Sequence, residues 1–126
     1  MLSPLAISQG STGTATAIRD AATNQAPSGA LGESVYDTAT VSGSPAAFTP
    51  TGTVTYQFFT TSNGSGPHTD QVVTLVNGAV PNSAVHGPLA AGAYSFIAVY
   101  SGDANFKGSA SAVSYTHLTL PTILLV

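Results

Sequence analysis

The side chains that could do chemistry are few and lie far apart in the chain. Three histidines occur, His68, His86 and His117, and only His68 has a nearby acidic residue, Asp70, in the same predicted loop. A bound metal ion needs several ligands that converge on it, and the spacing of these residues does not bring them together. The chain has no cysteine, so neither a thiolate metal site nor a disulfide can form. We therefore expect no metal site and no cofactor.

Asp103 and Asn105 form the one pair of oxygen-bearing side chains spaced like calcium ligands. They lie in a predicted loop, residues 101–105, between two predicted strands. Calcium takes six to eight oxygen ligands, and no acidic cluster in the sequence adds to these two. Asp and Asn side chains often accept hydrogen bonds from the backbone of their own loop. We interpret Asp103 and Asn105 as turn residues, with a calcium site as the alternative.

Asp37 interrupts the apolar alternation of a predicted strand. A carboxylate at such a position is expected to lie near a sheet edge and to accept hydrogen bonds from hydroxyls or backbone N–H groups. The alternative is a ligand or cross-linking site, in which Asp37 would be the buried acid that catalyses a Lys–Asn isopeptide bond and Lys107, the only lysine, would supply the amine. No motif for such a bond is present.

The motifs that mark hydrolases are missing. Serine, histidine and aspartate all occur, but the chain has no G-x-S-x-G turn or other nucleophile motif. We therefore predict that the protein is not an enzyme and assign no catalytic residue. Residues 63–65, Asn-Gly-Ser, match a glycosylation acceptor, but we interpret them first as a Gly/Ser-rich turn.

Composition limits the function classes further. The 126 residues suit one domain, and charged residues make up 6% of them, against roughly 25% in ordinary globular chains. The net charge is -3 with only two basic residues, so the protein lacks the several Lys or Arg contacts that nucleic-acid binding needs. We predict no nucleic-acid partner.

No segment of the sequence predicts export or membrane insertion. The first ten residues lack the basic and apolar regions of a secretory signal. The dense apolar stretch, residues 123–126, is far shorter than the roughly 20 residues that span a bilayer. A composition this poor in charge is nevertheless typical of exported surface proteins, and we interpret the sequence as a piece of a longer protein.

Alternating apolar and polar residues predict β-strands along the whole chain. Residues 51–59 place Val54, Tyr56 and Phe58 on one face. Other strands are predicted at residues 14–20, 34–42, 71–76, 79–85, 93–100 and 109–118. Turn-rich breaks separate these segments, and strands that recur in this way are typical of an antiparallel sandwich or barrel. The sequence predicts an all-β fold, a Greek-key sandwich of about seven strands.

Two of the connections carry specific signals. Asn77-Gly78 favours a type I′ hairpin turn, because both central residues of that turn need a positive φ. Pro81 lies in the returning segment, and since proline cannot donate a hydrogen bond to a strand ladder, we expect that segment at a sheet edge.

Several segments together resemble a bacterial immunoglobulin-like repeat, a module that occurs in tandem in large surface and adhesin-like proteins. They are PTGTVTY (50–56), VTLVNGAV (73–80), LAAGAYSFIAVYSGDANFKGS (89–109) and LGESVYDTATVSG (31–43), with AVYSGDANF the most specific. The resemblance covers residues 14–112, which leaves residues 1–13 as a linker or fragment end. It implies a spacer or adhesion module at the cell surface or outside the cell, with neighbouring repeats as partners and no catalytic residues.

The resemblance also gives Tyr94 and Phe96 expected places. Tyr94 lies two residues before Phe96, as in the tyrosine corner of immunoglobulin-like sandwiches, where the phenol hydroxyl binds a nearby backbone group. Phe96 stands where antibody domains have a disulfide cysteine. Without a disulfide, stability must come from packing, at about 1.5–3 kcal/mol for each large side chain buried. The expected core is Val35, Val41, Val54, Tyr56, Phe58, Leu75, Leu89, Phe96 and Tyr100.

The C-terminal residues have a different resemblance. VSYTHLTLPT, residues 113–122, resembles the conceptual translation of a transposase-based sequencing adapter. We therefore interpret residues 113–126 as a non-native tail that could take the position of the last strand. The alternative is a genuine final strand, which the alternation of Val113 and Tyr115 permits.

Two functions remain open at the level of the sequence. We expect a non-catalytic structural spacer or adhesion repeat from a larger bacterial surface or secreted protein. The alternative is a carbohydrate-binding module that uses exposed aromatic side chains such as Tyr36 or Phe59 beside the loop at residues 62–68, because aromatic faces stack on sugars.

Overall fold

The computed structural model describes residues 3–118 as an array of β-strands with no helix among them. The strands are β1 (Ser11–Asp20), β2 (Val35–Ser44), β3 (Thr53–Phe59), β4 (His68–Thr74), β5 (Gly92–Tyr100), β6 (Ser109–Ala110) and β7 (Ser114–Leu118). The all-β prediction is confirmed. The β-branched residues and alternating faces that favour extended backbone are present in each long strand.

The strands divide into two sheets. In the first sheet, β1 and β2 pair antiparallel over ten residues. In the second sheet the order is β4-β3-β5, and the far side of β5 pairs first with β7 and then with β6. All pairings between these strands are antiparallel.

The connection after β4 carries the chain from the second sheet back to the first. Asn77 and Gly78 have φ values of 51° and 81°, and Val76 and Ala79 exchange two hydrogen bonds of 2.9 Å, so the predicted tight turn is confirmed. The segment after this turn does not continue along β4. Residues 83–86 instead pair with the free edge of β2. Pro81 thus precedes an edge pairing, but on the sheet opposite β4.

The crossing of residues 83–86 to the first sheet defines the topology. β3 and β5 are neighbours in the second sheet, and the chain between them runs through β4 and then along the first sheet, as in a Greek key. The two sheets face each other, with contacts from β5 to both β1 and β2. The protein is an immunoglobulin-like antiparallel β-sandwich.

The core between the sheets consists of two clusters. One, which we call the Tyr100 cluster, contains Ala39, Val41, Val54, Tyr56, Leu75, Ala98, Tyr100 and Phe106. The other, the Phe96 cluster, contains Ile18, Val35, Leu89, Tyr94, Phe96 and Leu118. All residues of the predicted core are buried except Phe58, which is partly buried against the Phe96 cluster.

The strand directions give the sandwich two distinct poles. At the Gly10 pole, Gly10 lies beside Asn105 and β1 begins. At the Leu118 pole, Leu118 pairs with Gly92 and β7 ends. A strand of ten residues such as β1 spans about 33 Å at about 3.3 Å per residue. The chain therefore enters the sandwich at one pole, and β7 ends at the other.

The last described residues complete the second sheet. Ser114–Leu118 of the predicted non-native tail form β7, in which Leu118 is buried and Thr116 nearly so. Residues 119–126 of that tail lie outside the described residues. Within residues 3–118, no helix has the length and apolarity that crossing a membrane requires.

Candidate functional site

Asp103 organises the loop between β5 and β6 at the Gly10 pole. Its Oδ1 accepts hydrogen bonds from the backbone N–H groups of Asn105 and Phe106, both at 2.8 Å. Its Oδ2 accepts from the backbone N–H and the hydroxyl of Thr51, at 2.8 and 3.1 Å. These bonds, first those from Thr51, lower the pKa of the Asp103 carboxyl. The interpretation of Asp103 as a turn residue is confirmed.

The calcium alternative finds no support in this loop. All four contacts of the Asp103 carboxylate are to donors, which occupy the oxygens that a cation would need. Residues 3–118 contain no group of three or more histidine or acidic side chains placed to hold a metal ion.

A line of hydrogen bonds, which we call the seam, joins the first strand of one sheet to the last strands of the other. Gly10 and Phe106 form a parallel bridge, in which Gly10 N–H donates to Asn105 O at 2.8 Å and Lys107 N–H donates to Gly10 O at 2.9 Å. Beyond this bridge β1 and β6 run in the same direction. The seam therefore lies between two parallel strands that belong to different sheets.

Three hydroxyl groups continue the seam. The Ser109 hydroxyl lies 2.8 Å from both the Thr12 and the Thr14 hydroxyls, and Thr12 Oγ1 also donates to Lys107 O at 2.7 Å. Ser109 is 97 residues from Thr12 and 95 residues from Thr14 in sequence. Sequence reasoning missed this group; the alternating threonines at the start of β1 were the signal that could have indicated it.

Tyr94 forms the predicted corner. Its hydroxyl donates to Ala90 O, four residues upstream, at 2.7 Å, and its ring belongs to the Phe96 cluster. Phe96 is fully buried. The hydrogen bond expected of Tyr94 and the core position expected of Phe96 are both present.

Asp37 is fully buried, although β2 is an edge strand of the first sheet, as expected. Its Oδ2 accepts a hydrogen bond from the Thr16 hydroxyl, and its Oδ1 has no hydrogen-bond partner. Burial raises the pKa of the Asp37 carboxyl to about 6, against the smaller lowering effect of Thr16. The expected hydroxyl partner is present, but residues 83–86 and β1 enclose the position from both sides.

The cross-link partner suggested by the sequence is not near Asp37. Lys107 lies at the Gly10 pole with an exposed side chain, and its backbone pairs with Gly10. Among the described residues, no hydrogen bond or ion pair joins Lys107 to Asp37. Asp37 is therefore not placed to act as the acid catalyst of an isopeptide bond at Lys107.

The three histidines occupy separate places. His68 Nδ1 lies 2.5 Å from Asp70 Oδ1, and both residues lie on strand β4 rather than in the predicted loop. His86 stacks on Phe58 with ring centroids 4.1 Å apart, and burial lowers its pKa. His117 is exposed on β7. As the spacing predicted, the structure does not bring the three rings together.

The aromatic residues proposed for sugar binding do not form an exposed platform. Phe59 is 4% exposed and packs against the His68 ring. Tyr36 is half-buried, and its hydroxyl donates to Asn24 Oδ1 at 2.8 Å. The expectation that Phe59 is exposed was wrong. It lies on the outer face of the second sheet, where the loop after β3 covers neighbouring side chains.

That covering loop contains the predicted glycosylation acceptor. Gly64 N–H donates to the buried Ser95 hydroxyl at 3.0 Å, and the Ser65 hydroxyl donates to Asn63 Oδ1 at 2.6 Å. Thr61 and Ser65 are also hydrogen-bonded across the loop. The segment is a closed turn over the sheet, as the Gly/Ser-rich composition predicted.

A groove of about 390 Å³ opens at the Gly10 pole. Its apolar walls are Ile7, Pro45, Phe48 and Phe106, and its lining contains no charged residue. Ile7 and Phe48 are largely exposed. The groove is thus an apolar surface beside the point where the chain enters the sandwich.

The comparisons with known proteins add no relative. No protein-family model, no curated protein and no solved structure matches the chain.

Proposed function

We propose that the chain is a non-catalytic structural module, a spacer or adhesion repeat of a larger bacterial cell-surface or secreted protein. The observation that carries the proposal is the path of the chain. β1 begins at the Gly10 pole, and the position of the last strand, which residues 114–118 occupy here, ends at the Leu118 pole. Modules with this path can follow one another end to end, and each adds its own length to a stalk.

The hydrogen bonds of the seam support a role in which the module resists a pulling force. A stalk under tension pulls the start of β1 away from the Gly10 pole and the end of β7 away from the Leu118 pole. Because β1 and the β6–β7 strands run parallel, this force slides them past each other. The bonds at Gly10, Thr12 and Thr14 are then strained together rather than broken one at a time.

Surface character supports neighbouring modules as partners. The uncharged groove beside Ile7 and Phe48 is at the pole that a preceding module would face. With 6% charged residues in the chain, long-range charge repulsion between adjacent modules is weak. We place the module outside the cell or at its surface, in keeping with its low charge and its resemblance to surface repeats.

Single-molecule force spectroscopy of a tandem array tests this function. We expect the wild-type modules to unfold in discrete steps when pulled from both ends. In an array that carries Thr12→Val and Thr14→Val together, the hydroxyl bonds of the seam are lost while the β-branched shape remains. We expect the force at which these modules unfold to fall well below that of the wild type.

Thr40→Val serves as the control, because Thr40 is exposed on β2 and makes no hydrogen bond through its side chain in the described structure. The unfolding force of this control should equal that of the wild type. Equal forces for all three arrays, or wild-type modules that extend without a resolved step, would contradict a function in resisting a pulling force.

A further inference from the structure

Asp37 stands where the two halves of the core meet. On β2 the inward-facing positions are Val35, Asp37, Ala39 and Val41. Val35 belongs to the Phe96 cluster and Ala39 to the Tyr100 cluster. A fully buried carboxyl therefore interrupts an otherwise apolar interior at the junction of its clusters.

The carboxyl has far fewer partners than an ionised group needs. An ionised carboxylate offers about four acceptor sites, and burying a charge is costly unless hydrogen bonds or an opposite charge compensate it. Here the Thr16 hydroxyl is bonded to Oδ2, and Oδ1 is buried without a partner. A neutral carboxyl suits these surroundings better than a charged one.

The elements packed around Asp37 supply no positive charge. β1 contributes Thr16, and the segment at residues 83–86 contributes the Ser83 hydroxyl. β3 contributes the phenol of Tyr56, whose hydroxyl donates to Pro81 O at 2.7 Å. Burial and the charge of Asp37 both raise the pKa of Tyr56, so the phenol stays neutral.

The other titratable group of the segment at residues 83–86 is His86. It pairs through its backbone with Val35, and its ring stacks on Phe58 instead of contacting the Asp37 carboxyl. The basic residues are remote, since Lys107 is exposed at the Gly10 pole and Arg19 lies near the Leu118 pole opposite Tyr36. β5 faces the interior here with Phe96 and Ala98, which carry no charge.

Asp37 also fastens the segment at residues 83–86 to the first sheet. Its backbone N–H donates to the Ser83 hydroxyl at 2.8 Å, and its backbone carbonyl accepts from Ser83 N–H at 2.9 Å. The next attachment of the segment is the pair of bonds between Val35 and His86. The carboxyl is thus carried by the residue that holds this edge of the sandwich closed.

We propose that Asp37 makes the attachment of residues 83–86 to β2 depend on pH. These residues stay hydrogen-bonded to β2 while the carboxyl is neutral, and they loosen when it ionises. The proposal goes beyond the structural role proposed above and does not depend on it. The physical cause is hydration. A charged Oδ1 without a partner draws water toward the junction, where the bonds of the Asp37 backbone to Ser83 lie.

The direction of the pH dependence follows from the pKa of Asp37. Burial raises this pKa from 3.8 to about 6 in the folded protein. A raised folded pKa means that the stabilising contribution is complete below about pH 4 and is lost as the pH rises through 6. A difference of two pKa units corresponds to about a hundredfold change in the unfolding equilibrium constant.

The test measures urea unfolding of the full chain between pH 4 and pH 8, for the wild type and for Asp37→Asn. Asparagine has the shape of the carboxyl but cannot ionise. We expect the ratio of the wild-type to the variant unfolding constant to rise about a hundredfold from pH 4 to pH 7.5. A ratio that stays constant over this range would overturn the proposal.

Asp70→Asn, made in a His68→Gln background and compared with His68→Gln alone because the two side chains are in contact, is the matched control, since it removes an aspartate from the exposed face of β4. For this control we expect the ratio to change little compared with the change for Asp37→Asn. If both variants shift the ratio equally, a general charge effect explains the pH dependence, and the ionisation of Asp37 is not its cause.

Two measurements on the wild type do not depend on whether the variant folds. Carbon-13 spectra of labelled aspartate should show one carboxyl that titrates near pH 6, and a set of carboxyls that all titrate below pH 4.5 would refute the proposal. Amide exchange, corrected for its intrinsic pH dependence, should speed up above pH 6 at Asp37, Ser83 and His86 and stay unchanged at Tyr56. Uniform protection at all four amides would exclude local loosening.

Discussion

Two aspartates of this protein show how the surroundings decide what a carboxylate does. Asp103 accepts four hydrogen bonds at an exposed loop, which stabilise its charged form and lower its pKa. Asp37 accepts one bond through its side chain inside the core, and burial raises its pKa. The first residue strengthens a turn, whereas the second makes the interior sensitive to pH.

Tyr94 is the residue for which a single atom matters most. Removing its hydroxyl in Tyr94→Phe leaves the ring in the Phe96 cluster and leaves Ala90 O without its 2.7 Å partner. Because a hydrogen bond of this kind is worth about 1 kcal/mol, we expect a loss of about 1 kcal/mol in unfolding free energy. Urea denaturation measures it.

Tyr115→Phe is the control for this prediction, since Tyr115 is 66% exposed and its hydroxyl makes no hydrogen bond in the described structure. Its unfolding free energy should match that of the wild type. A Tyr94→Phe variant as stable as Tyr115→Phe would show that the corner contributes only through its ring.

The strands differ in how firmly the sequence specifies them. β3 and β5 carry long alternating runs, and their pairing places Phe58 opposite Phe96 and Tyr56 opposite Ala98. β6 is only two residues long, and β7 follows it after a break. The last edge of the second sheet is therefore built from two short pieces on one side of β5.

β7 contributes to the core through one large side chain. Leu118 is 1% exposed within the Phe96 cluster. Replacing a buried leucine with alanine removes apolar contacts and leaves a cavity. We expect Leu118→Ala to lower the unfolding free energy by about 2–4 kcal/mol, measured by urea denaturation.

Leu5→Ala, at a position that is 85% exposed, makes the same chemical change outside the core. We expect this control to be neutral. If Leu118→Ala is equally neutral, β7 does not pack in solution as described, and the proposal that residues 113–126 are a foreign tail gains support.

At the scale of the whole molecule, the sandwich is closed without a covalent bond. The two clusters fill its interior, and the Gly10–Phe106 bridge and the hydroxyls at Thr12, Thr14 and Ser109 join its edges. Its apolar groove lies at the pole where the chain enters. These features fit the proposed series of modules, in which each module needs a core that is closed without its neighbours and a surface that contacts the next one.

The genomic reading frame around this sequence provides a test at the same scale. We expect further copies of the PTGTVTY and AVYSGDANF patterns on either side, a secretory signal upstream, and a different sequence after residue 112. Long-read sequencing of the locus supplies the observation. A single gene of 126 codons between stop codons, with the same C-terminal residues, would contradict both the tandem architecture and the adapter interpretation.

The sequence by itself determined the class of fold and its local geometry. Strand alternation gave β3 and β5 with nearly correct ends, and Asn77-Gly78 specified its turn because those residues tolerate positive φ. The corner at Tyr94 followed from its spacing to Phe96. These features depend on residues that are close in the chain, so local preferences are enough to predict them.

Only the tertiary structure decided which groups each polar or edge residue contacts. The burial of Phe59, the return of residues 83–86 to β2, and the hydroxyl contact between Thr12 and Ser109 all join segments that are distant in the chain or lie on opposite faces. Asp37 is the clearest case. Its orphaned oxygen results from the closure of β1 and residues 83–86 around one strand, and no pattern within β2 specifies that enclosure.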